Sequence, residues 1–390
     1  MPIINRFAEL HDEITGWRRE IHSNPELLFD VEETASFVTE KLKEFGLDEV
    51  VTGIGRTGVV GIIKGNQTGS GKVIGLRADM DALPIHEETG VEYASKVDGK
   101  MHACGHDGHT AMLLGAAKYL SETRNFDGSV AVIFQPAEEG GGGGREMVDD
   151  GMMDRFDIQE VYGLHNWPGV PVGSFGTRPG ALMAATDIFT IDIQASGGHA
   201  AKPHETIDPI VIASHIILAL QSIASRNVDP IESVVVSVTT CNAGTAFNVI
   251  PDTASLNGTV RTLSESVRDL TEKRIQEVVE YTAKAHGATA VLDYKRNYPV
   301  VMNHEKETAF AVDIASGISG EDKVDTDANP TMGGEDFAFM LNARPGSFIF
   351  LGNGDTAPVH HPKYNFNDEI IPIGCSYWAK LVETAMPINR

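Results

Sequence analysis

Near residue 185 the strands of this chain change their pattern, and near residue 305 the first pattern returns. Upstream, "VVGIIKG", "KVIGLRADMDALPI", "GSVAVIFQPAEEG" and "EVYGLHNW" read as strands dominated by short apolar runs. Strands of that kind are buried on both faces, beneath helices. The stretch "HTAMLLGAAKYLSE" supplies one such helix, and residues 5 to 46 read as two amphipathic helices broken at "HSNPEL". Alternating strands and helices predict an α/β sheet of largely parallel character, with functional residues at strand ends. At "TDIFTIDIQASGGH" apolar and polar residues alternate instead, as in a half-exposed strand. A helix ("IDPIVIASHIILALQSIAS"), two strands ("ESVVVSVTTCNAG", "ASLNGTVRT"), a polar helix around 264 to 286 and the strand "ATAVLDYKRNYPV" follow. Strand–helix–strand–strand–helix–strand is the ferredoxin-like order. Beyond it, "MGGEDFAFM" and "SFIFLGNG" resume the first pattern. The expectation is an α/β fold. It has a discontinuous domain with a central mixed sheet flanked by helices, over 1–184 and 298–390, and an inserted α+β ferredoxin-like domain over 185–297.

At 390 residues the chain exceeds the size at which one core stops growing, which agrees with two domains. Thirty-one Lys+Arg against 55 Asp+Glu give a net charge of −24. That balance argues against nucleic acid or an anionic membrane as partner, since no basic excess neutralises phosphates. It leaves a small substrate open, because such a molecule responds to local charge. Cys104, Cys241 and Cys375 are too few and odd in number for a disulfide framework, so a reducing, cytoplasmic setting is expected. "MPIINRFAELHDEITGW" reads as the start of a helix rather than a signal peptide, and no apolar run is expected to span a membrane.

The chemistry gathers at predicted strand ends. "MHACGHDGHT" places Cys104 and His106 two residues apart in a turn, where both can reach a common centre. A thiolate can bridge two metals, and this donor pair favours zinc and its neighbours over magnesium or calcium. A buried small cysteine beside helix-capping histidines is the alternative. Glu138 and Glu139 in "AEEGG" follow a buried strand and point to opposite sides, so one can ligate a metal while the other faces its water. Adjacent glutamates are otherwise commonly solvated. The glycine run after them lacks the Gly-Lys-Ser/Thr of a phosphate loop. Asp79 and Asp81 in "RADMDALPI" sit on one side of a strand end, where a carboxylate can orient a ligating imidazole. His165 in "GLHNWPG" is either a further ligand or a satisfied core histidine. "PVHHPKYNF" offers His360 and His361 at another turn.

With these stretches go "GGHAAKPHETIDPI", "NVIPD", "GTVRT" and "GGEDF", in order from about residue 15 to 385. Together they resemble the amidohydrolase branch of the aminoacylase/carboxypeptidase-G metallopeptidase family, whose nearest patterns are hippurate, N-acyl-amino-acid and auxin-conjugate hydrolases. The resemblance implies two divalent metal ions (zinc or manganese, with nickel or cobalt as alternatives) held by Cys104, His106, Glu139, His165 and a C-terminal histidine. Spacing from Pro362 favours His360 for the last, with His361 as runner-up. Glu138 would be the general base and Asp81 its electrostatic helper. The wider family has a histidine and a bridging aspartate where this chain has Asp79 and Cys104.

The inserted domain would be the family's lid and dimerisation domain. His199 would steady the oxyanion in the partner subunit's site. Asn248 and Arg261 would hold the substrate carboxylate, although read alone Arg261 could be a surface arginine on a solvated sheet face. The implied activity is hydrolysis of N-acyl amino acids by a homodimer or higher homo-oligomer. A dipeptidase or carboxypeptidase on the same scaffold, or a non-catalytic protein with a structural metal, are the alternatives.

Overall fold

The computed structural model describes residues 4–388. Before the insertion the strands are β1 Glu49–Ile54, β2 Gly58–Lys64, β3 Val73–Asp79, β4 Ser129–Gln135, β5 Glu160–Pro168, β6 Phe175–Gly176 and β7 Gly180–Met183. The insertion carries β8 Ala185–Gln194, β9 Gly198–His199, β10 Val234–Ala243, β11 Val249–Ile250, β12 Thr253–Thr262 and β13 Thr289–Tyr298. After it come β14 Val301–Asn303, β15 Val324–Asp325 and β16 Gly346–Gly354. The chain divides into two compact units. One comprises Met1–Leu182, Met302–Asn329 and Asp336–Arg390, and the other Met183–Val301 and Pro330–Glu335. Three details differ from the expected boundaries, the first being that the insertion opens at Met183 rather than 185. Strand β13 runs on to Tyr298, which pairs with Thr186, so the insertion extends past 297. The segment Pro330–Glu335, expected in the outer domain, groups with the insertion.

The first unit holds an eight-stranded sheet in the order β1-β2-β4-β3-β5-β16-β6-β15. Its centre, β4-β3-β5-β16, is parallel, while β1–β2, β2–β4 and β16–β6 are antiparallel, so the sheet is mixed. Parallel strands present their carboxyl ends along one edge, and loops leaving that edge converge. One side of the sheet buries Leu76, Ala78, Val132, Phe134, Tyr162, Leu164, Ile349 and Leu351 in a core shared with Trp17, Met112, Leu113 and Trp378. Because successive strand residues alternate in direction, Arg77, Gln135, His165, Phe348 and Phe350 belong to the opposite side. The expected pair of N-terminal helices is three: Asn5–Glu9, His11–Ser23 and Glu32–Glu44. Leu10 carries the chain from the first into the second, and "HSNPEL" marks only the later break.

A buried polar knot ties the His11–Ser23 helix to the His106–Thr123 helix. Asp107, wholly buried, accepts from His22 Nδ1 at 2.8 Å and Arg18 Nη1 at 3.4 Å. Arg18 also pairs with Asp368. Burial alone would strip the proton from His22, but the charge and hydrogen bond of Asp107 hold its pKa up at about 9.

In the second unit the antiparallel sheet runs β10-β12-β8-β13, the ferredoxin-like order. Its inner face (Phe189, Ile191, Ile193, Leu256, Val260) packs on Ile212, Ile216 and Leu220 of helix Pro209–Ser222 and on Ile275 and Val279 of helix Glu265–Ala285. Asp208 and Ser264 cap these helices by accepting from Ile210 N and Val267 N. The stretch Pro209–Asn227, 19 residues long, is apolar enough to cross a membrane by length and composition, contrary to the expectation from sequence. Part of that apolarity is its inner face; Ile210, Val211 and Leu218, at 45 %, 47 % and 71 % exposure, lie on the outside. At the base of the sheet Asp187, buried, accepts from Arg268 Nε at 3.0 Å, Tyr294 Oη at 2.8 Å and Asn297 N at 3.2 Å.

Removing Asp187 takes the buried partner from the Arg268 guanidinium and leaves it only Glu265 and the Tyr298 carbonyl. Asp187→Ala should therefore lower unfolding free energy by about 3 kcal/mol in a urea titration; a loss under about 1 kcal/mol would contradict the geometry. His22 makes a second prediction. A group whose pKa is raised on folding contributes fully below its unfolded value, and the contribution fades as pH rises through the folded one. Stability should thus fall by about 2 kcal/mol between pH 6.5 and 9, with His22→Gln removing most of that slope.

Candidate metal centre and active site

At the carboxyl edge of the parallel strands, β3 ends in Asp79 and the chain continues through Met80 to Asp81, which is buried. Asp81 organises the neighbouring loops. Its carboxylate accepts the backbone N–H of Glu138 at 2.9 Å and of Glu139 at 3.1 Å. Its carbonyl accepts His106 Nδ1–H at 2.8 Å, which assigns the tautomer and leaves Nε2 free to ligate. Burial and the charge of Glu139 raise the Asp81 pKa, against the pull of His106.

Cys104 precedes Gly105, whose φ of +90° caps the His106–Thr123 helix. A side chain at Gly105 would lie 2.3 Å from Asn166 Nδ2 and 2.4 Å from Tyr364 Oη, so glycine is required there. Asn166 fixes the two ends of this part of the site. Its Nδ2 donates to the Cys104 carbonyl at 2.7 Å, and its own carbonyl accepts His165 Nδ1–H at 2.6 Å. His165 Nε2 then faces Cys104 Sγ at 3.4 Å. His165 lies inside β5 rather than after it.

The glutamate pair leaves β4 through Ala137, a non-glycine residue with φ of +53°. The glycine run beyond it is a packing device: a Cβ on Gly143 would come 1.8 Å from the Pro136 carbonyl. His360, also left-handed at φ +65°, donates its N–H to the Ala103 carbonyl and brings Nε2 to 3.3 Å from Glu139 Oε1. His361 instead caps the turn, accepting from Lys363 N at 3.0 Å.

Potential ligand atoms fall into overlapping groups, each within 4.8 Å: Cys104 with His106 and His165, Cys104 with Glu139 and His360, and His106 with Glu138 and Glu139. Cys104 is shared by the first two. Asp79, His106 and His109 also cluster, but His109 is already engaged. Its Nδ1–H donates to Asp79 Oδ1 at 2.7 Å and its Nε2 accepts Asn166 N–H at 2.9 Å.

The electrostatics call for a cation. His106 Nε2 is buried without a hydrogen-bond partner, and buried Glu139 Oε1 has only His360 Nε2, at 3.3 Å. Burial opposes a charge on His106, yet Asp79 and Asp81 push its pKa up to about 10. Burial and the surrounding glutamates drive the Cys104 thiol well above its usual range. Burial, reinforced by His109, leaves His165 neutral with a lone pair available. A divalent ion would satisfy the His106 and Glu139 atoms, deprotonate the thiol and relieve the crowded carboxylates.

Sequence reasoning did not single out Arg77, His109 or Asn166, and quoted "GGEDF" without a role for Asp336. Arg77, buried, donates to Asp79 at 2.8 Å, Gln135 at 2.9 Å and Asp336 at 3.1 Å, while Asp336 accepts Gly144 N at 2.8 Å. The i, i+3 spacing of His106 and His109 on one helix face was the available signal for His109.

The remaining expected residues lie in the second unit. His199 on β9 stands opposite Val249 of β11, and Ala200 N donates to the Asn248 carbonyl at 3.1 Å, so His199 and Asn248 are neighbours. Arg261 on β12 is half-buried and donates to the Val260 carbonyl at 3.0 Å. Burial lowers its pKa, and among the described residues no carboxylate forms an ion pair with it.

A family model described as peptidase family M20/M25/M40 matches residues 75–384. The hippurate hydrolase of Campylobacter jejuni is 45 % identical over 98 % of this chain and 98 % of its own. An N-acetyl-L-cysteine deacetylase of Bacillus subtilis is 43 % identical over 95 % and 87 %. Among solved structures, a Bacillus subtilis dinuclear metal-binding peptidase of the M20 family aligns with a TM-score of 0.85 at 36 % identity, covering 97 % of this chain and 99 % of that one. A family match over residues 75–384 and relatives this similar over nearly the whole chain make it a member of the M20/M25/M40 peptidase family.

Proposed function

We propose that this protein is a metal-dependent amidohydrolase that cleaves N-acyl amino acids to a carboxylic acid and a free amino acid. The observation that carries the reading is one thiol, Cys104, shared by two ligand groups beside a glutamate pair whose backbone hangs on Asp81. Cys104, His106, Glu139, His165 and His360 would hold two divalent ions, zinc or manganese, with nickel or cobalt as alternatives. Such ions, when bound, supply an activated water and polarise the scissile carbonyl.

The chain's own residues do the rest. Glu138 takes the proton of the attacking water and returns it to the leaving amine. Asp81 keeps Glu138 aimed through the backbone, and Asn166 keeps Cys104 and His165 in register. We assign the insertion the roles of lid and dimer contact. His199 would stabilise the oxyanion, while Asn248 and the unpaired Arg261 would receive the amino acid's carboxylate, a bidentate match for a guanidinium. The exposed Ile210, Val211 and Leu218 support a homodimer through that unit. Three free cysteines support a cytoplasmic setting.

The test pairs metal analysis with turnover. About two ions per chain, with N-acyl amino acid hydrolysis lost on chelation and restored by manganese or zinc, is the expected result. Glu138→Ala should lower kcat by about three orders of magnitude or more at unchanged metal content. Retained activity in that variant would remove Glu138 as base. Cleavage of dipeptides alone would move the reading to a peptidase on the same scaffold.

A further inference from the structure

The site described above has two flanks of opposite character within the first unit. On one stand Asp79, Asp81, Glu138 and Glu139, and the nearby cation Arg77 is committed to Asp79, Asp336 and Gln135. The other flank is aromatic. His165 and Trp167 are two apart on β5 and so point to the same side of the sheet. Phe350 of β16 pairs in register with His165 and shares that side.

The Trp167 ring lies over Phe350 with centroids 4.2 Å apart and planes at 35°, and sits 6.0 Å from the His165 imidazole. Behind it Phe350 meets Phe348 at 6.1 Å, and Phe348 meets Phe337 at 5.5 Å. Phe337 and Phe348 are wholly buried and Phe350 nearly so, whereas Trp167 is only partly covered. The indole is therefore the accessible end of an aromatic row anchored in the core, and packing restricts its freedom to swing away. It is a flat apolar surface beside a candidate metal ligand, with no charge of its own.

Resting on the amidohydrolase reading, we propose that Trp167 is the specificity-determining residue for the acyl group, a shelf on which a planar aryl acyl group stacks while the amide lies at the metal centre. An aryl group gains area burial and ring-on-ring geometry there; a small acyl group gains neither, and a puckered ring of equal size gains only the area.

The experiment compares kcat/KM for N-benzoylglycine, N-cyclohexanecarbonylglycine and N-acetylglycine on the metal-loaded enzyme. The wild type is expected to favour benzoyl over cyclohexanecarbonyl by about fivefold and over acetyl by more. Trp167→Leu should lower the benzoyl-to-acetyl ratio about tenfold, and Trp167→Phe should keep most of it. Leu28→Ala, at an exposed apolar residue near the glutamate loop, should leave the ratio unchanged; Leu28 meets that loop through its carbonyl, which accepts Ala137 N–H. Equal rates for the planar and puckered acyl groups on the unmodified enzyme would overturn the shelf without any variant. So would a ratio untouched in Trp167→Leu, or one moved as far by Leu28→Ala. If the wild type cleaves none of the three, the amidohydrolase reading fails and the shelf goes with it; turnover of all three with a flat ratio sinks the shelf alone.

Discussion

The site hangs on the bonds made by Asp81. Its two carboxylate oxygens hold the backbone of Glu138 and Glu139, and its carbonyl holds the ring of His106. The segments that follow β3 and β4 are thereby referred to one buried residue. A carboxylate buried in this way is stable only if its acceptors are used, and here both oxygens accept backbone donors. The Glu138–Glu139 loop in turn is shaped by the left-handed Ala137 and by Gly143, which has no room for a side chain. Strain of this kind persists where surrounding bonds over-determine the conformation.

Around Asp81 the fold concentrates more negative charge than its own cations neutralise. Arg77 bridges Asp79 and Asp336 beneath the site, and His109 satisfies the second oxygen of Asp79. Glu139 Oε1 has only the exposed imidazole of His360 at 3.3 Å, and His106 Nε2 is buried with no hydrogen bond. The raised His106 and Cys104 pKa values share that cause: each holds a proton in place of a more strongly charged ion. The acidity of the whole chain is a separate matter, spread over the surface and irrelevant to the sign of the substrate's local environment.

Much of this was legible from residue order. The switch from continuous to alternating apolar strands marked the insertion, because a sheet covered on both sides and a sheet wet on one side demand different periodicities. Cys104, His106 and the two glutamates stood out because donors of that type rarely crowd beside apolar runs without reason. His360 and His361 could not be separated by chemistry, being adjacent and identical in type. A left-handed turn held by the Ala103 carbonyl brings the first to Glu139 and leaves the second to cap Lys363. Arg77 and Asn166 were silent, since each looks like an ordinary strand residue until its partners from distant segments are in place.

The sequence by itself determined the periodicities, the insertion and the inventory of donors, because these depend on side-chain chemistry and on spacing within one element. Only the tertiary structure decided which donors meet, which tautomer each imidazole adopts, and which face of β5 carries His165 and Trp167 beside Phe350. Those outcomes depend on hydrogen bonds and ring contacts between distant segments, such as Asn166 with Tyr364, 198 residues apart, and Arg77 with Asp336, 259 apart. No local propensity encodes such a contact; it exists only once the sheet has set the register of its strands and brought their carboxyl ends to one edge.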